Sequence, residues 1–103
     1  MRVIGVTSCP SGVAHTYMAA EALEKAAKAK GYDVKVETQG SIGIENRLTD
    51  EDIKFADVVI LTKDMPIKEI ERFEGKKIVK VNISDLVSKA APILNKIEEA
   101  LNK

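Results

Sequence analysis

Residues 2–13 read Arg2-Val3-Ile4-Gly5-Val6-Thr7-Ser8-Cys9-Pro10-Ser11-Gly12-Val13, and this stretch decides the fold. Residues 2–7 are a short apolar run, which reads as a strand. The turn Ser8-Cys9-Pro10-Ser11-Gly12 cannot continue it, because Pro10 offers no amide and Gly12 admits positive φ. Beyond the turn, Met18, Ala19, Ala22, Leu23 and Ala26 recur on one face at the 3.6-residue helical period. Lys25, Lys28 and Lys30 crowd the end of that pattern, and Gly31 stops it, as a helix C-terminus prefers. A strand, a glycine-containing turn and a helix make the opening unit of an α/β fold.

The same alternation continues outward. Val34 and Val36 alternate with polar residues over 33–38, the pattern of a half-exposed or edge strand. Gln39-Gly40-Ser41-Ile42-Gly43 reads as a loop, and Thr49 with Asp52 resembles a capping box for a short helix ending near Phe55. Asp57-Val58-Val59-Ile60-Leu61 is the strongest candidate for a buried strand. A loop with Asp64 and Pro66 leads to a short helix near 67–73, and Asp64 is read as the cap of that helix. Gly75 breaks it, and residues 77–81 supply a fourth strand. Ile93, Leu94, Ile97 and Leu101 mark a terminal helix, regular from about Lys89 because Pro92 fits only near a first turn.

The predicted fold class is therefore α/β: a doubly wound three-layer α/β/α sandwich around a mainly parallel four-stranded sheet, in Rossmann-like order 2-1-3-4. Its 103 residues suffice for one domain spanning 1–103. Sixteen basic side chains balance sixteen acidic ones, which argues against a nucleic-acid partner. No apolar run approaches the roughly 20 residues of a membrane span, and a strand at the very start leaves no room for a signal peptide. One cysteine excludes an internal disulfide, so a cytoplasmic location is expected. No metal or other cofactor is expected.

Right-handed crossovers carry the C-terminal ends of all parallel strands to one rim, where open α/β sheets bind ligands. Cys9 falls on that rim, between a strand end and a helix start. Orphan amides and the positive end of the helix dipole lower a thiol's pKa and bind anions there. The amides of Ser11, Gly12, Val13, Ala14, His15 and Thr16 are placed to converge on phosphoryl oxygens, with His15 and the Thr16 hydroxyl as supports. The expected chemistry is phosphate on the Cys9 sulfur.

Cys9-x5-His15-Thr16 has the spacing of the Cys-x5-Arg loop of cysteine phosphatases but lacks its arginine. A guanidinium clamps the trigonal phosphoryl group bidentately, and histidine cannot. The chain also has no Asp-Pro dipeptide to supply a leaving-group acid. A loop that holds phosphocysteine fits better than a hydrolase. The alternatives are a low-molecular-weight-type phosphatase and a non-enzymatic thiol regulatory module; the latter lacks a second cysteine to resolve an oxidised sulfur.

The stretch Cys9-Pro-Ser-Gly-Val-Ala-His-Thr-Tyr-Met-Ala-Ala-Glu21 resembles the signature of fructose-type enzyme IIB components of the bacterial sugar phosphotransferase system. The resemblance continues through Val36-Glu-Thr-Gln-Gly-Ser-Ile-Gly43, Leu48-Thr-Asp-Glu-Asp-Ile53, Ala56-Asp-Val-Val-Ile60, Arg72-Phe73 and Gly75-Lys76. Ser11 stands where many members carry threonine, which preserves a hydroxyl and an amide. The resemblance implies that Cys9 takes a phosphoryl group from phosphohistidine on the A component (EIIA). It passes that group to fructose or a related sugar held by the membrane-embedded C component (EIIC), giving fructose 1-phosphate. Both partners are expected to meet the rim around Cys9, including residues 39–43.

Overall fold

A computed structural model describes residues 1–8, 13–40 and 43–101 of the chain, excepting the side chains of 13 and 14. The elements are β1 (Arg2–Ser8), α1 (Val13–Ala29), β2 (Asp33–Gly40), β3 (Gly43–Glu45), α2 (Asp50–Lys54), β4 (Val58–Thr62), β5 (Ile78–Val81) and α3 (Ile83–Leu101). A 3-10 turn at Ile70–Phe73 lies between β4 and β5. The sheet runs β3-β2-β1-β4-β5, parallel throughout except for β3.

The parallel strands keep the expected order, but the sheet has five strands rather than four. The extra one comes from a segment read as loop and its continuation. Residues 43–45 fold back antiparallel on β2, pairing Thr38 with Glu45 and Gln39 with Ile44, with Gly43 at φ +107° in the reversal. Three residues are too few for alternation to register in a sequence. The 33–40 strand is consequently not an edge over its C-terminal half, and its residues 36–39 are buried.

α1 and α3 cover one face of the sheet, where Val3, Leu23, Val36, Ile60, Leu86 and Leu94 form the larger core. The other face packs Ile4, Val6, Leu48, Ile53, Leu61 and Phe73 under α2 and the 3-10 turn. That second layer is thin, and local caps hold it. Thr49 and Asp52 form the reciprocal capping box that the sequence announces, with the Asp52 amide donating to Thr49 Oγ1 at 3.1 Å and the Thr49 amide to Asp52 Oδ2 at 2.8 Å.

α3 begins at Ile83, six residues before the regular helix was expected, and it is interrupted at Lys89 (φ −133°, ψ 31°). Pro92 thus stands in the first turn after a break, where the helix has no intrahelical use for its amide. Asp64 does not cap the element that follows it. Its Oδ1 accepts from the Ile83 amide at 2.7 Å and so caps α3 from across the rim.

Candidate active site at the carboxyl rim of the sheet

β1, the central strand, ends at Ser8, and α1 starts at Val13. Around them the parallel strands end at Gly40, Thr62 and Val81, all on the same rim. Cys9, Ser11 and Gly12 lie outside the described residues, as do the side chains of Val13 and Ala14. The described residues on either side of this segment are held firmly. Ser8 donates its amide to Thr62 Oγ1 at 2.9 Å, and the Thr62 hydroxyl donates back to the Ser8 carbonyl at 3.2 Å. Ser8 Oγ lies 3.6 Å from Met65 Sδ, which brings the loop after β4 against the residue preceding Cys9. On the other side the Thr7 hydroxyl donates to the Thr16 carbonyl at 3.0 Å and ties the first turn of α1 to the strand end.

Two of the expected supports separate here. His15 is exposed on the first turn of α1, whereas Thr16 is buried beneath it. The amides that open an α-helix have no intrahelical acceptor, and α1 opens at Val13. No acidic residue occupies that turn, so the positive end of the helix dipole has no carboxylate within its own first turn. α2 differs sharply, with Asp50, Glu51 and Asp52 all in its first turn. Of the two long helices and the short one, α1 alone has no acidic residue in its first turn, since α3 carries Asp85 there.

Glu37, Gln39 and Arg72 form a polar cluster beside this rim that no spacing in the sequence announces as a unit. Glu37 is fully buried on β2, facing the thin layer. Arg72, from the 3-10 turn, grips its carboxylate bidentately at 3.0 and 2.5 Å. The Leu48 amide and Gln39 Nε2 complete the shell at 2.9 Å each. Burial pushes the Glu37 pKa up, but the hydrogen bonds from Arg72, Gln39 and the Leu48 amide pull harder, and it settles below the ordinary carboxylate range. Gln39 then exchanges two hydrogen bonds with the Lys68 backbone, at 2.8 and 3.1 Å, and so fastens the loop after β4 to the end of β2.

This revises the expectation for residues 39–43. Gln39 is buried and turned inward, Gly40 ends β2, and Gly43 opens β3, while Ser41 and Ile42 lie outside the described residues. The only sequence signals for the cluster were a glutamate at a polar position of an alternating strand and the Arg72-Phe73 pair. Neither says that positions 35 apart will meet. Among the described residues no group of three His, Cys, Asp or Glu is placed to hold a metal ion, and no helix is long and apolar enough to cross a membrane.

The family model for the PTS system, Lactose/Cellobiose specific IIB subunit, matches residues 4–102. The chain is 70% identical over 100 residues to the PTS system fructose-like EIIB component 2 of Escherichia coli (strain K12), covering 97% of this chain and 94% of that one. The solution structure of an Enzyme IIB subunit of the PTS system from Escherichia coli K12 superposes with a TM-score of 0.93 at 44% identity, over 98% of this chain and 94% of that one. A crystal structure of a domain from the fructose-specific IIABC component of Borrelia burgdorferi gives 0.86 at 52% identity, over 92% and 90%.

Proposed function

This chain belongs to the IIB family of the PTS, and from that premise we propose that residues 1–103 act as one fructose-type EIIB domain carrying a phosphoryl group on Cys9. The thiolate of Cys9 attacks the phosphorus of a phosphohistidine on the A component; the S–P bond forms as the P–N bond breaks, and the imidazole leaves neutral, taking up the equivalent of the proton that the thiol gave up on ionising. In the second step a hydroxyl of fructose, or of a related sugar, bound by the membrane-embedded C component attacks the same phosphorus. The P–O bond forms, the S–P bond breaks, the hydroxyl proton is released and the thiolate is regenerated. Two easy transfers replace one hard one. The product is fructose 1-phosphate, and the chain works in the cytoplasm, meeting the membrane through its C partner.

The observation that carries this reading is positional. Cys9 directly follows the end of the central strand, four residues before a helix whose first turn holds no carboxylate. In this reading the amides of Ser11, Gly12, Val13, Ala14, His15 and Thr16 cradle the phosphoryl oxygens. His15 stands exposed where an incoming anion would pass, and Thr16 anchors the first turn through its carbonyl.

The arginines favour a carrier over a hydrolase. The chain has three, and each is paired with a carboxylate: Arg2 with Asp33, Arg47 with Glu69 and Arg72 with Glu37. None is left to clamp a phosphoryl group in flight, so the phosphocysteine survives until the sugar arrives.

The test is intact mass after incubation with phosphoenolpyruvate, the general phosphotransferase proteins and a fructose-type A component. Wild type gains one phosphoryl mass, Cys9→Ser gains none, and membranes bearing the C component discharge it when fructose is added. An unmodified wild type beside a fully phosphorylated donor would overturn the proposal.

A further inference from the structure

A second surface lies away from the rim, along the edge strand β5. Val58, Val79 and Val81 on the sheet and Ile93, Ile97, Ala100 and Leu101 on α3 line an apolar groove there. The charged side chains on its walls are Lys77 and Lys96. The adjoining depression toward the start of α3 adds Lys63, Lys80 and Lys89 against one carboxylate, Asp85. A chain with equal numbers of acids and bases has thus gathered five exposed lysines along one channel.

The strand beside the groove has an unused side. The carbonyls of Lys77 and Val81 accept from the amides of Val59 and Lys63, so they face β4. Strand backbone groups alternate sides with a period of two, which turns the amides and carbonyls of Ile78 and Lys80 outward. β5 ends the sheet, and no further strand of the described residues pairs with it.

We propose that this groove binds an acidic, extended segment of a partner protein, added to β5 as a further strand. Its backbone pairs with Ile78 and Lys80, its alternate apolar side chains rest on Val79, Val81, Ile93 and Ile97, and its carboxylates meet Lys77 and Lys96. The lysine excess selects acidic chemistry. The unpaired strand edge selects a polypeptide over an anionic lipid surface, which cannot answer a row of alternating amides and carbonyls. This surface is separate from the rim, and the inference holds whether or not Cys9 carries phosphate.

The experiment is selection from a random-peptide display library on the immobilised wild-type chain and on two variants, Lys77→Glu/Lys96→Glu and Ala100→Trp. All three substituted positions are exposed, and Ala100→Trp fills the groove without changing its charge. Extended peptides that combine apolar residues at alternate positions with an excess of acidic residues should be enriched on wild type. A synthetic copy of the leading peptide should shift the amide resonances of residues 77–81 and 93–101 and bind each variant at least about tenfold more weakly. Cys9 phosphorylation should be unaltered in both variants. The absence of enrichment, enrichment of basic peptides, or binding indifferent to both variants would overturn the proposal. So would lysine-dependent binding to phosphatidylglycerol vesicles without peptide enrichment, or a wild-type dimer that the charge reversal dissolves.

Discussion

Replacing Glu37 by glutamine keeps the size of the side chain and removes its charge, which leaves the largely buried Arg72 guanidinium against a neutral partner. Breaking one side of a buried pair costs about 3 kcal/mol, mostly because the remaining charge has lost its compensation. Urea unfolding of Glu37→Gln at neutral pH should show a loss of that size. The same pair makes stability depend on acid. The Glu37 pKa is depressed in the folded chain, so its contribution is complete above the unfolded carboxylate range and is lost as pH falls through the lower folded value. Wild type should therefore weaken steadily below roughly pH 4, and the difference between wild type and Glu37→Gln should shrink over the same interval. A difference that stayed constant down to pH 2 would separate Glu37 from the acid response. Cys9 could be singled out as a candidate at this scale because everything that recommends it is local: a strand, a proline, a glycine and a helix within a dozen residues. The Glu37–Arg72 contact was not, because it joins two elements whose meeting only the sheet order determines.

Among the elements, α1 lies close against the sheet at Gly5. A Cβ there would lie 2.9 Å from Leu23 Cδ2 and 3.1 Å from the Ile60 carbonyl oxygen. Leu23 can yield by changing rotamer, but the carbonyl belongs to β4, so relief must come from moving the strand or the helix. Gly5→Ala should destabilise the chain by about 1–3 kcal/mol, as overpacking does in a filled core. It should also slow phosphoryl acceptance by Cys9, since the helix displaced is the one that begins just after it. Thermal unfolding beside single-turnover phosphorylation would check both effects; a stability loss with an unchanged transfer rate would show that α1 yields near Leu23 while its first turn stays in place. The elements that the sequence reading found were those with a clear period, such as α1, or a dense β-branched run, such as β4. It missed β3, where three residues beginning with a glycine carry no period, and it started α3 late because Pro92 marks the resumption after Lys89 rather than the beginning at Ile83.

Taken whole, the molecule is lopsided. One face of the sheet is covered by two long helices, 17 and 19 residues, packed against each other as well as against the strands. The other face is covered by a five-residue helix and a four-residue turn, neither long enough to persist alone. What holds that thin layer is a set of discrete anchors: Leu48, Ile53 and Phe73 in the core, the Thr49–Asp52 capping box, and the Arg72–Glu37 pair. Stability should accordingly be unequal, with the thin layer opening at lower free energy than the sheet and the paired helices. Native-state hydrogen exchange should find β1 and β4 amides exchanging only through global unfolding, and amides of residues 50–56 and 70–76 exchanging earlier. Glu37→Gln should widen that gap by accelerating exchange at 70–76 beyond its effect on β1. Uniform acceleration throughout the chain would mean that the two faces unfold as one unit. The arrangement bears on the proposed function because the loop reaching Ser8 through Met65 belongs to the thin layer, while the start of α1 belongs to the thick one. Cys9 therefore lies in sequence between Ser8, which a loop of the less protected layer touches, and the first turn of α1, which the better protected layer holds.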